Sequence, residues 1–173
     1  MPEQKKYREP LFRTSGKNSF LEVFDNAAID RMSIQITVYD NDTHKVTNKT
    51  IYYMEYREVA GLCSAILHGQ IDTFLSNKNA FPAVDFSVPQ LSTKETMRLW
   101  NMSKTDKGNY QFTITERVRE DKWSESAALK GKASFFISPF AMYAMASVVS
   151  VYANERIKEN FPPQELPQEL AID

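Results

Sequence analysis

The chain has 173 residues, of which 42% are hydrophobic and 12% aromatic, enough to bury one core and too apolar for a disordered chain. Its single cysteine, Cys63, rules out an intramolecular disulfide framework, and a net charge of −1 rules out a uniformly basic surface. The charge is uneven: Lys5, Lys6, Arg8, Arg13 and Lys17 outweigh Glu3 and Glu9 near the N-terminus, while Glu159, Glu165, Glu169 and Asp173 close the chain with no basic residue among them.

In chain order, residues 1–18 read as a flexible basic arm. Strands are expected over Ser19–Phe24, Ser33–Tyr39 and Lys45–Tyr53, the second with Ile34, Ile36 and Val38 alternating against Gln35, Thr37 and Tyr39. Asp40-Asn41-Asp42 is turn chemistry. A helix is expected over Glu55–Leu75, with Val59, Leu62, Cys63, Ile66 and Leu67 at helical spacing and Gly69 as a bend or end. A linker follows from Ser76 to Ser92. The pattern then begins again: strands over Glu95–Ser103, Tyr110–Val118 and Lys132–Ser138, with Asp106-Lys107-Gly108-Asn109 as a hairpin turn and a charged loop over Arg119–Gly131. Ser138 and Pro139 cap and open a second helix that runs to about Glu159 and stops before Pro162-Pro163. The remaining tail repeats PQEL and reads as disordered and acidic.

The expected fold is α+β: two strand-strand-strand(-strand)-helix repeats, at 19–76 and 93–158, form one domain over 19–158 with antiparallel sheets packed on two helices. One strand set cannot bury its apolar face alone, so the halves should share a core.

Catalytic chemistry finds little support. His44 falls in a turn and His68 on a helix, with no partner at metal-ligand spacing. Cys63 lies on an apolar helix face. No phosphate-binding glycine loop occurs. Neither enzyme activity nor a metal or cofactor is expected. The most apolar stretch, 133–153, reads as a strand and buried helix rather than a membrane span. The N-terminus lacks the apolar core of a secretion signal, so a cytoplasmic protein is expected.

The positive signal is cations interleaved with flat rings and polar groups on strands, which is what phosphates and unpaired bases require. Lys94, Arg98, Trp100, Tyr110, Arg117, Arg119, Lys122, Trp123, Lys130 and Lys132 supply it in the second half, and Gln35, Tyr39, Lys45 and Lys49 in the first. The run Lys130-Gly131-Lys132, a short strand, then Ser138-Pro139 and a helix (KGKASFFISPFAMYAMASVV) resembles the closing segment of the Whirly and positive-transcriptional-cofactor superfamily. That resemblance implies a Whirly-like fold and single-stranded DNA binding, with bases on Trp100, Tyr110 or Tyr39 and phosphates held by Lys94, Arg98, Arg117, Lys130 and Lys132. The first half departs from it, with Tyr53-Met54-Glu55 where Ser-Pro would stand. The acidic tail is similar to that of bacterial single-strand binding proteins, which implies contact with a protein partner. Small size suits a phage or mobile-element accessory protein, in the host cytoplasm, acting in DNA replication, recombination or transcription. RNA in place of DNA, a homo-oligomer, and a non-catalytic protein-interaction or assembly module are the readings left open.

Overall fold

A computed structural model describes residues 9–76 and 95–160. The protein is α+β, with two antiparallel sheets and helices. The first sheet has the order β1 (Phe12–Ser15), β2 (Ser19–Asn26), β3 (Arg31–Tyr39) and β4 (Val46–Met54). After β4 come α1 (Tyr56–Leu67) and α2 (Ile71–Ser76). The second sheet is β5 (Thr96–Lys104), β6 (Tyr110–Val118) and β7 (Leu129–Ile137), followed by α3 (Pro139–Asn160).

Local chemistry accounts for most of the boundaries. The Asp40 carboxylate accepts hydrogen bonds from the Thr43 N–H (2.7 Å), the Thr43 hydroxyl (2.8 Å) and the Asp42 N–H (3.1 Å), closing the β3–β4 turn. Those bonds hold its carboxyl below the usual range. Gly108, with φ of 81°, supplies the left-handed residue of the β5–β6 turn. The single helix expected over 55–75 is two: Gly69, at φ 67°, ends α1 and lets α2 turn away. Glu55 and Glu58 form a capping box that starts α1. The Ser138 hydroxyl accepts from the Ala141 N–H at 3.2 Å and starts α3, as expected.

The arm is a correction in part. Residues 12–15 form β1, pairing Phe12 with Val23 and Ser15 with Phe20. Four residues carry too little alternation to be read as a strand, but Phe12 packs against the core and holds them there. Residues 1–8 of the expected arm, together with Lys94, most of the linker and the acidic tail from 161, lie outside the described residues.

The order β2-β3-β4-α1 is matched by β5-β6-β7-α3, and the agreement extends to single residues. In β3–β4, Val38 pairs with Asn48 and Tyr39 with Val46, so Thr47 bulges out. In β6–β7, Glu116 pairs with Gly131 and Arg117 with Leu129, so Lys130 bulges out. One residue separates β4 from α1 (Glu55) and β7 from α3 (Ser138). Val59, Leu62, Cys63 and Ile66 are the buried stripe of α1; Met142, Met145, Ala146 and Val149, at the same steps from the strand, are that of α3.

Both sheets turn their inner faces into one core, with α1 packed on α3. Trp100 is fully buried at its centre, edge-on to Phe112 at 5.3 Å and tilted against Tyr52 at 5.9 Å. The sheets meet where β4 approaches β7. There the Ile51 N–H of β4 donates to the Glu116 carboxylate at 3.1 Å, and the Asn48 side chain donates to the Lys132 carbonyl at 2.7 Å. Each of these two edge strands thereby has one outward backbone group paired. The first sheet is also tied to the last helix: Asp25 accepts from Arg156 (2.7 Å) and from the Tyr56 hydroxyl (2.7 Å). Burial, then the hydrogen bond to Asp25, raises the Tyr56 phenol above its ordinary pKa. Among the described residues, no helix is long and apolar enough to cross a membrane.

Candidate nucleic-acid interface

Alternation fixes which strand residues can meet a ligand. On the first sheet Leu21, Val23, Ile34, Ile36, Tyr52 and Met54 point into the core. Their neighbours Phe20, Gln35, Tyr39, Lys49, Ile51 and Tyr53 therefore share the outer face. The Phe20 and Tyr39 rings stack there at 5.0 Å, and the Arg13 guanidinium lies 4.3 Å over Phe20 while pairing with Glu22 at 3.6 Å. Beside them Gln35 faces Ile51 across the ladder, Thr37 faces Lys49, and Tyr53 carries the Arg98 guanidinium 5.7 Å above its ring. Phe20, Gln35, Tyr39 and Tyr53 are half-buried and Lys49 is exposed.

The outer face of the second sheet repeats the third-strand arrangement. Lys132, Ser134 and Phe136 of β7 occupy the outward positions held by Lys49, Ile51 and Tyr53 of β4. Phe136 is 60% exposed, an unusual position for a phenylalanine on a sheet. Thr113 hydrogen-bonds Ser134 at 2.8 Å, and Gln111 lies opposite Phe136.

Three expected contact residues are corrected. Trp100 and Tyr110 point into the core, and Arg98, two residues from Trp100 on the same side of β5, is enclosed where the sheets meet, between Glu116 and the Tyr53 ring. Trp100 is fully buried, Arg98 is 7% exposed and Tyr110 is 5% exposed. Strand β5 is apolar on both faces, with Met97 and Leu99 buried as well, so alternation divides its residues into two sets without saying which set points inward. Arg98 is tolerated inside because Glu116, directly across the ladder, takes its Nε–H at 3.0 Å. Tyr110 donates its hydroxyl to Asp72 of α2 at 2.6 Å, and Lys104 also pairs with Asp72. Burial, then that hydrogen bond, pushes the Tyr110 phenol up to about 12. The bonds from Lys104 and Tyr110 hold the Asp72 carboxyl low.

The remaining residues divide by place. Arg117 is half-buried and turned to the 119–128 loop, donating to the Ala127 carbonyl at 2.6 Å and lying 5.9 Å from the Trp123 ring. Trp123 donates to Glu125 at 3.1 Å and is half-buried. Arg119 and Lys122 are exposed on the same loop, Lys45 is exposed before β4, and Lys130 bonds the Thr96 hydroxyl at 2.7 Å. The structure thus brings together Gln35, Tyr39 and Lys49 on one face and leaves Lys132 at the matching place on the other. Arg13, Phe20 and Phe136 were not anticipated as site residues. A signal for Phe136 was present: Lys49-Thr-Ile-Tyr-Tyr53 and Lys132-Ala-Ser-Phe-Phe136 share a lysine followed four residues later by an outward ring.

No protein-family model matches the chain, and neither does any curated protein. The site is therefore read from its geometry alone. A face of lysines, half-open rings and amide or hydroxyl groups can hold phosphates electrostatically and stack bases, and it displays no nucleophile beside a base. Cys63, the one thiol, is buried in the core, and burial pushes its pKa up to about 12, away from the reactive thiolate.

Proposed function

We propose that the protein binds single-stranded DNA, largely without regard to sequence, along the outer faces of its two sheets, and that it acts by binding rather than by catalysis in replication, recombination or transcription. One observation carries this reading: Lys49 with Tyr53, and Lys132 with Phe136, stand at matching outward positions on β4 and β7. A lysine and a ring two outward steps apart suit successive phosphate and base contacts of an unpaired strand. Arg13, Phe20, Tyr39 and Gln35 extend the first of these surfaces. The matched element order supports the finer reading of the fold as an internally duplicated, Whirly-like unit.

Fluorescence anisotropy of labelled oligo-dT tests the function. Retention at low salt should weaken steeply as salt rises, with each lost phosphate contact reducing the logarithmic slope by roughly 0.7. Lys49→Ala and Lys132→Ala should each flatten that slope. Absence of binding at low salt, or equal preference for duplex DNA, would sink the proposal. Because Trp100 is enclosed, tryptophan quenching should be small and come from Trp123. A protein-interaction role has one observation in its favour, the outer face of α3.

A further inference from the structure

The geometry points to self-association: the exposed face of α3 is a twofold contact surface on which a second copy of this chain docks, giving an antiparallel pair of α3 helices. The buried stripe of α3 accounts for only one side of the helix. On the opposite side Phe140 is 84% exposed and Val151 54%, with Tyr143 (54%) on one flank and Val148 (41%) and Tyr152 (42%) on the other. Single exposed apolar residues are ordinary, but here they recur along more than three turns of one helix with no charged residue from 140 to 152.

The fold itself does not demand this. At the same steps from its strand, α1 places Arg57 where α3 has Phe140, Ser64 where α3 has Ser147, and His68 where α3 has Val151. Those α1 residues are exposed and polar. Two helices in matching positions thus differ along the outer line: Arg57 and His68 of α1 are polar where Phe140 and Val151 of α3 are apolar. The serine hydroxyls of the α3 stripe are already satisfied: Ser147 donates to the Tyr143 carbonyl at 2.9 Å and Ser150 to the Ser147 carbonyl at 3.3 Å. Covering the stripe would therefore strand neither of them, and the Tyr143 and Tyr152 hydroxyls belong at its wet rim.

The stripe also identifies its occupant. An uncharged face calls for another uncharged face, and a second α3 supplies one by symmetry. In an antiparallel pair centred between Ala144 and Ser147, those small residues face each other and let the axes approach. Phe140 then meets Val151, while Tyr143 and Val148 flank the contact on either side. Taking about 200 Å² per ring, the five side chains expose on the order of 500 Å². That is more than half of the roughly 800 Å² each partner gives to a stable interface, and residues flanking the stripe can add the rest. A lipid surface fits less well, because no lysine or arginine flanks the stripe between 140 and 152.

Sedimentation velocity of the full chain, over roughly 1–100 µM, tests the proposal. The expected mass is twice the 19.9 kDa of the chain. Val148→Asp should return it to the single-chain mass with an unchanged circular dichroism spectrum, and Phe140→Ser serves if that variant does not fold. Oligo-dT binding by the single-chain variant should persist, so loss of the dimer and loss of the nucleic-acid reading are separate results. A single-chain mass for the wild type throughout, or a dimer that survives both substitutions, overturns the inference. So does a full chain that dimerises only after residues 161–173 are deleted, since the tail would then hold the face, or one that stays single and sediments with anionic vesicles.

Discussion

The two halves of the molecule share a frame and fill it differently. Register places Leu21 of β2 where β5 has Trp100, and Ile34 of β3 where β6 has Phe112. All four are core residues. By the same register, Ser19 stands where the second half has Arg98, and Val38 where it has Glu116. One half therefore closes this end of its sheet with a small hydroxyl and an aliphatic side chain, the other with an ion pair. The comparison teaches that hydrogen-bonded register and the helix stripe set the fold, while single inward positions can differ in size provided each is filled and its charge is cancelled.

The largest effect should come from the centre of the core. Trp100→Ala should destabilise the protein by about 3–5 kcal/mol and Leu21→Ala by about 2–5 kcal/mol in urea unfolding. A small loss at either site would break the equivalence of the two core centres.

Next comes the ion pair. Glu116→Val alone leaves the Arg98 guanidinium enclosed without its carboxylate and the Ile51 N–H without its acceptor. A loss of about 3–5 kcal/mol is expected. Adding Arg98→Ser writes the first half's residues into the second and should recover much of it. A double variant no more stable than the single one would show that this corner tolerates no exchange between halves.

The outward rings come third. Tyr53→Ala and Phe136→Ala should each weaken oligo-dT binding by about 1–3 kcal/mol, the contribution of one stacked base. Similar losses would sharpen the comparison by making the two faces equal partners. A loss at Tyr53 alone would confine the contact to the first sheet, where Arg13, Phe20 and Tyr39 also lie.

The smallest effect separates Tyr110 from Met32, which holds the matching place in the first half. Tyr110→Phe should cost about 1 kcal/mol by removing the bond to Asp72. The Tyr110 phenol is raised from 10.0 to about 12, so folded chains hold its proton more tightly than unfolded ones. Its stabilisation is complete below pH 10 and is lost as pH rises from 10 towards 12. Stability curves of the Tyr110→Phe variant should therefore fall less steeply over that alkaline window, and an unchanged slope would refute the assignment.

Most elements were legible because their signals are local. The alternation of Ser33–Tyr39, the turn at Asp106–Asn109 and the Ser138-Pro139 start of α3 each act within a few residues. The candidate site was half legible. Gln35 and Tyr39 alternate against an unmistakable aliphatic set, so their outward direction could be read, whereas Lys49 stands between Asn48 and Thr50 and its direction comes from the register with β3. Arg98 and Trp100 could not be oriented, because Met97 and Leu99 opposite them are equally apolar. What decides the matter is Glu116 across the ladder, eighteen residues away. Residues 12–15 were missed since a four-residue strand gains its stability from Val23 and its neighbours, not from its own pattern.

The tie between Asp25 and Arg156 bears on how the molecule is made. The inner surface of the first sheet is covered in part by α3, the last described element of the chain. A ribosome that has released only the first half holds a sheet whose leucine, isoleucine and methionine side chains have α1 beside them but not α3. The core closes only once α3 has been made, and until then the nascent chain is a client for chaperones.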